Sequence, residues 1–278
     1  MWDPTLAFFL ARPAGQSDPL PGFPPLHETR YSRDRLLYAL SNDAALPSGA
    51  IAGAALYARE IEPDIIAVVE RASTEELDPP SARLLFRGLH ILGGRRFTSV
   101  YRPLVALLRG PQDRVEHLLG DAVTETLPKI LAGVFDGDEA PLRALITDTT
   151  VDSFVRQTAL KALAFLAFDG QIDRAGFQEF LRRFDEERLA PPDDGAMWDE
   201  WMSVVAVLGM VELVPQVRAA FADGRIAPDL CAEDEFDELL DAAIKHPDDR
   251  TRLARESMGY IDDVLVCARA VPHGRRCT

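Results

Sequence analysis

Cysteine is scarce in this chain of 278 residues, and the three present, Cys231, Cys267 and Cys277, form neither a CxxC pair nor a spaced cluster. An odd, sparse set speaks against a disulfide framework and suits a reducing cytoplasm. Long apolar runs are missing too, so no segment is expected to span a bilayer. The opening MWDPTLAFFLARPAG carries a short apolar stretch from Leu6 to Leu10 but no basic region ahead of it, which argues against a signal peptide. Clusters of lysine or arginine are absent, and 45 acidic residues face 30 basic ones for a formal charge of −15. A surface this acidic repels phosphate, so neither nucleic acid nor an anionic membrane is an expected partner. A protein or a basic peptide is the natural one. There is no GxSxG, no glycine-rich phosphate loop and no HExxH, so no catalytic residue, metal or cofactor is assigned.

Strictly alternating apolar and polar stretches are lacking as well, which leaves helices. After a proline-rich lead-in over residues 1–31, the segment SRDRLLYALSN pairs a serine cap with an apolar stripe at Leu36, Leu37 and Leu40. Then a pattern recurs. EPDIIAVVERA, RPLVALLRG, APLRALITD and VPQVRAAFADG are short amphipathic segments, each with a proline near its start. Pro63, Pro103 and Pro141 stand 40 and 38 residues apart, and Pro215 follows 74 residues later, twice the same step. The absent member should be DRAGFQEFLRRFDEE, with Phe177, Phe180, Leu181 and Phe184 on one face. Proline suits the first turn of a helix, where its missing N–H has no partner in any case.

A more apolar segment precedes each of these: SGAIAGAALYAREI, SARLLFRGLHILGG, GDAVTETLPKILAGVF, DSFVRQTALKALAFLAFDG and MWDEWMSVVAVLGM. A helix apolar nearly all round is buried between neighbours. The expected fold is therefore all-α, a right-handed HEAT/armadillo-like α-solenoid of stacked antiparallel helix pairs with a period of about 40. The expected organisation is a lead-in over 1–31, a helical-repeat domain over 32–246, and a C-terminal helix with a basic tail over 247–278.

Few residues invite chemistry. On a continuous helix, His117, Asp121 and Glu125 would share one face at i, i+4 and i+8, a set able to bind a divalent metal or move protons. Gly120 and Pro128 favour a second arrangement. In it a helix starts at Asp121, whose carboxylate accepts the Thr124 N–H as an N-cap, and His117 falls on the preceding turn. DGDE at 136–139 lacks calcium-loop spacing and reads as a turn. The acids after Cys231 raise a thiol's pKa, which makes it a poor nucleophile. His90 sits in an apolar helix, and Trp198 and Trp201 stand at i, i+3. Core packing is the ordinary reading of all three; the functional one is a set of anchors on a concave face.

Three stretches carry a resemblance: LLGDAVTETLPKILAGVFDGDEAPLRALI, SFVRQTALKALAFLAFDGQIDR and MWDEWMSVVAVLGMVELVPQVRAAFADGRI. Together with AIAGAALYAREIEPDIIAVVERA they resemble a bacterial family of unknown function, DUF1186, over Leu46 to Ala243. Matching positions are Gly120, Asp121, Thr124, Glu125, Asp136, Gly137, Asp138, Val155, Arg156, Gly170, Trp198 and Gly224. The resemblance implies a helical-repeat protein and brings no activity with it. Many relatives end in a cysteine-rich SEC-C zinc motif; here only Cys267 and Cys277 lie near the end, so no zinc role carries over. The expected function is a non-enzymatic cytoplasmic interaction module with an acidic surface. The alternative is an enzyme or a ligand- or metal-binding protein using the polar cluster around Asp121 and Glu125.

Overall fold

The computed structural model describes residues 32–227 and 232–270. The proline-rich lead-in, Cys231, Cys277 and the basic tip lie outside the described residues. Among those described there are sixteen α-helices, two single 3-10 turns and no strand, as the helical spacing predicts. The helices fall into two compact units.

In the first unit, α1 (Arg33–Asn42) starts where Ser32 accepts a hydrogen bond from the Arg35 N–H, and it buries Leu36 and Leu40. The segment expected to hold one buried and one amphipathic helix becomes α2 (Ser48–Leu56) and α3 (Ala58–Ala72). Helix α3 begins earlier than its segment suggests, so Pro63 lies inside it rather than in its first turn. Its ring faces solvent there, and the helix continues through it. Next come α4 (Pro79–Gly94), capped by Asp78, and α5 (Tyr101–Leu108), with Pro103 in its first turn. Then follow α6 (Gln112–Leu119), the four-residue α7 (Ala122–Glu125) and α8 (Leu127–Val134). Helix α4 is the centre of this unit and packs against α1, α3 and α8. Glycines allow that closeness. A Cβ at Gly88 would lie 2.6 Å from Ile65 Cγ2, and one at Gly133 would lie 2.3 Å from the carbonyl oxygen of Gly93.

The second unit holds α9 (Ala140–Thr147), α10 (Ser153–Phe168), α11 (Arg174–Glu186), α12 (Gly195–Val207), α13 (Val214–Ala222), α14 (Glu233–Lys245) and α15 (Arg250–Arg255). Helix α11 is the repeat member without a proline. Asp173 caps it by accepting the Gly176 N–H at 2.7 Å, and Phe177, Phe180, Leu181 and Phe184 are buried as the spacing requires. Helix α10 is buried along nearly its whole length and packs against α9, α11 and α12. The final helix, α16 (Val264–Ala270), belongs to the first unit, where it packs on α2 and α4. A Cβ at Gly94 would meet Val264 Cγ2 at 2.5 Å.

Arginines, among them the buried Arg87, Arg156 and Arg252, tie neighbouring helix pairs together. The last carbonyls of a helix have no partner of their own, and a guanidinium offers five donors. Arg87 in α4 donates to the carbonyls of Leu40 (2.7 Å), Asp43 (2.9 Å) and Ala45 (3.3 Å) where α1 ends. Arg114 in α6 reaches Ser73 behind α3 at 2.9 Å. In the second unit Arg156 holds the Ile146 carbonyl at 2.8 Å, the Leu189 carbonyl and the Asp194 carboxylate. Arg174 reaches Leu208, and Arg252 reaches Val207 at 3.1 Å. Several of these links span about one repeat, so the period seen in the apolar pattern is also a period of polar ties.

Candidate functional site

The stretch that invites chemistry folds as three helical pieces. Gly120 adopts φ 49° and ψ −134°, a left-handed backbone that glycine reaches without strain, and it ends α6. His117 is exposed on the last turn of α6, apart from the following helix. His117, Asp121 and Glu125 therefore share no continuous helical face. Asp121 does stand at the head of α7, but its side chain makes no cap hydrogen bond, which corrects the carboxylate cap expected from sequence. The physical reason is that Asp121 is itself in the helical region, at φ −60° and ψ −18°, so its backbone carbonyl takes over. That oxygen accepts both the Thr124 N–H and the Thr124 hydroxyl at 3.2 Å. Asp121 and Thr124 are exposed and Glu125 is half-buried. Among the described residues no group of three His, Cys, Asp or Glu could hold a metal ion.

His90 does meet this stretch, through Thr126, which no sequence pattern singles out. Its Nδ1 lies 2.8 Å from the Phe86 carbonyl and its Nε2 lies 2.9 Å from Thr126 Oγ1. A carbonyl only accepts, so Nδ1 carries the proton and Nε2 accepts from the Thr126 hydroxyl. Burial pulls the imidazole pKa down to about 4 against the opposing effect of the hydrogen bond that Nδ1–H donates to the Phe86 carbonyl. The ring is thus neutral and fixes the junction of α7 and α8 onto α4. At 1% exposure it is no surface anchor.

Trp198 and Trp201 are also inside, both fully buried. Trp198 Nε1 donates to the Pro191 carbonyl and Trp201 Nε1 to the Leu181 carbonyl, each at 2.9 Å. Their rings pack edge-on at 5.8 Å, and Phe184 adds a third ring 5.4 Å from Trp198. With both indole donors satisfied internally, neither ring is available to a partner, and the anchor reading gives way to core packing.

Between the tryptophans lie the residues that sequence reasoning passed over. Glu200 in α12 is 6% exposed, and its Oε2 pairs with Lys161 Nζ of α10 at 3.2 Å. Its Oε1 is buried without a hydrogen-bond partner, as is Asp199 Oδ1. Burial raises the Glu200 carboxyl to about 7, opposed by Lys161 and pushed further by the negative charges of Glu256 and Asp199. Burial and the Glu235 charge raise Asp199 in the same direction. The available signal was three charges inside apolar helices, Lys161 in ALKALAF and the acid pair in WDEW.

A separate cleft of about 300 Å³ opens between α9 and α11, lined by Arg143, Thr147, Phe180, Arg183, Glu187 and Leu189. Its charges cancel locally. Arg183 is bound by Glu187 through two hydrogen bonds, and Arg143 pairs with Glu139 at 3.0 Å while lying over the Phe180 ring.

The family model described as "Protein of unknown function (DUF1186)" matches residues 34–268. The chain is a member of the DUF1186 family. Among its relatives, this DUF1186 protein is similar to a protein of Chlamydia trachomatis serovar D, described as "Uncharacterized protein". The two are 24% identical over 232 residues, covering 81% of this chain and 92% of the relative. A protein of Chlamydia muridarum with the same description is 23% identical over 202 residues, or 72% of this chain and 80% of the relative. No solved structure matches the DUF1186 chain. Among the described residues no helix is long and apolar enough to cross a membrane.

Proposed function

We propose that this DUF1186 protein is a non-enzymatic, HEAT-like interaction module of the cytoplasm, whose acidic surface takes a protein partner through a basic segment. The observation that supports this reading is the outer face of α14. Asp234, Glu238 and Asp241 follow one another at helical spacing on that face, all exposed, with Ile244 52% exposed nearby. Arg218, the nearest base on the neighbouring α13, is already taken by Glu233 and Asp237, and Lys245 lies on Asp241. Buried Arg87 and Arg252 spend their donors on backbone carbonyls, so these two cations offset no carboxylate outside. The alternative at Asp121 and Glu125 has less support, because His117 is set apart by Gly120 and Asp121 faces solvent.

The test is titration with an acetylated hexa-arginine amide at about 20 and about 200 mM salt. Wild type should bind at low salt and lose affinity at the higher salt, roughly tenfold or more for a multivalent charge contact. The variant Asp234→Asn/Glu238→Gln/Asp241→Asn should bind more weakly at low salt. Absence of binding at low salt, or affinity indifferent to salt, would overturn the reading.

A further inference from the structure

An interaction surface has no use for Glu200, a charge buried in α12 against Lys161 of α10. Replacing a buried ion pair by apolar residues is often neutral or stabilising, so this pair is not explained by stability alone. Lys161 reaches Glu200 from α10, with its own side chain 19% exposed at the rim. The remaining charges around the pair are all acidic. Asp199 comes from the same helix, Glu256 from the turn after α15, and Glu235 of α14 acts on Asp199. Helix α13, packed on another side of α12, offers Arg218, but that guanidinium is taken by Glu233 and Asp237. One lysine therefore stands against several carboxylates, with the innermost carboxylate holding one oxygen that no hydrogen bond reaches.

We propose that the Lys161–Glu200 pair is a proton-operated latch between α10 and α12: with Glu200 protonated the two helices stay closed on each other, and loss of that proton loosens α12. The ionised form places an undersolvated oxygen in an apolar setting beside like charges, a burden that one rim lysine offsets only in part. The sign follows from the raised pKa. The stabilising contribution is fully present below the ordinary glutamate value of 4.5 and is lost as pH rises through about 7. Between those limits the closed state is disfavoured by up to ~300-fold. The change thus falls near neutrality, where small shifts in pH move the population.

The two tryptophans belong to α12 and are buried against its neighbours, so their emission follows the packing of that helix. The experiment follows tryptophan emission from about pH 5 to about pH 9 in full-length protein carrying Trp2→Phe, which leaves Trp198 and Trp201 as the only emitters. Hydrogen exchange of residues 195–207, corrected for the intrinsic pH effect, is measured alongside. Wild type should show an emission change with a midpoint about 7 and a matching loss of protection in α12. Glu200→Gln should remove both. Lys161→Met should move the midpoint upward, because the ionised carboxylate loses its cationic partner; this variant keeps the test decisive if Glu200→Gln does not fold. A flat wild-type profile, an unaltered transition in Glu200→Gln, or a midpoint in Lys161→Met that stays put or falls would each overturn the proposal.

Discussion

Adding one methyl group at Gly133 tests how the first unit is held together. In most helices Gly→Ala is favourable, by up to about 1 kcal/mol in a helix interior. Here the new Cβ would sit 2.3 Å from the carbonyl oxygen of Gly93, 3.0 Å from its carbonyl carbon and 3.3 Å from its Cα. Normal contact begins at roughly 3.2 Å for such a pair, so α8 must withdraw from α4 by about 1 Å or tilt. Two things oppose that movement. The His90–Thr126 hydrogen bond of 2.9 Å spans the same two elements, and Gly93 faces Ile130 where a Cβ would have 3.2 Å to its Cα. Overpacking against a backbone that cannot rotate away costs about 1–3 kcal/mol, and we expect Gly133→Ala to end about 1–3 kcal/mol less stable than wild type. Gly93→Ala meets only the milder contact with Ile130 and should cost less. Urea unfolding gives the answer as a fall in the midpoint at unchanged slope. If Gly133→Ala is as stable as wild type, or if Gly93→Ala is the worse of the two, the close approach of α4 and α8 is not what fixes this unit.

Two further outcomes follow from the buried polar groups. Arg156→Met should cost about 3–5 kcal/mol in urea unfolding, because it strands the Asp194 carboxylate and the Ile146 carbonyl that the guanidinium now serves. Acidification should weaken the first unit through His90. Its pKa is depressed from 6.5 to about 4, so its contribution is present above 6.5 and is lost as pH falls through about 4, by up to about 3 kcal/mol. His90→Gln should flatten that part of the pH profile of stability, and an unchanged acid slope would refute the assignment. Glu200 works in the opposite direction over an overlapping range, so these two groups answer a change of pH with opposite signs.

What the sequence made legible was whatever depends on local periodicity. Residues Phe177 to Phe184 announced α11 without a proline, Ser32 announced the start of α1, and the apolar surround of Leu163 announced a buried α10. The failures concern geometry that spacing does not carry. Pro63 marked an amphipathic helix correctly but not its start, because an exposed proline is carried within α3. At Asp121 the sequence offered a capping carboxylate, yet a helical φ and ψ at that residue handed the role to its carbonyl. The tryptophans stand out by their i, i+3 spacing, while Asp199 and Glu200 between them show only as charges inside an apolar helix. Their significance depends on Lys161, one helix pair away, and a contact across a repeat leaves no trace in a local pattern. The arginine ties are invisible for the same reason, since an arginine in a helix reads as surface until its guanidinium is placed.

Helix α16 has a consequence for how the chain is made. The first unit takes its last helix from residues 264–270, after the whole of the second unit has been specified. A ribosome releases the chain from the N-terminus onward. Helices α9 to α15 can therefore find one another while α2 and α4 still wait for Ile261 and Val264 to cover Gly94. The N-terminal half is begun first and finished last, and during that interval its apolar faces are open to the surroundings. A chain cut off and released after residue 260 would hold every helix of the second unit and leave the first one unsealed.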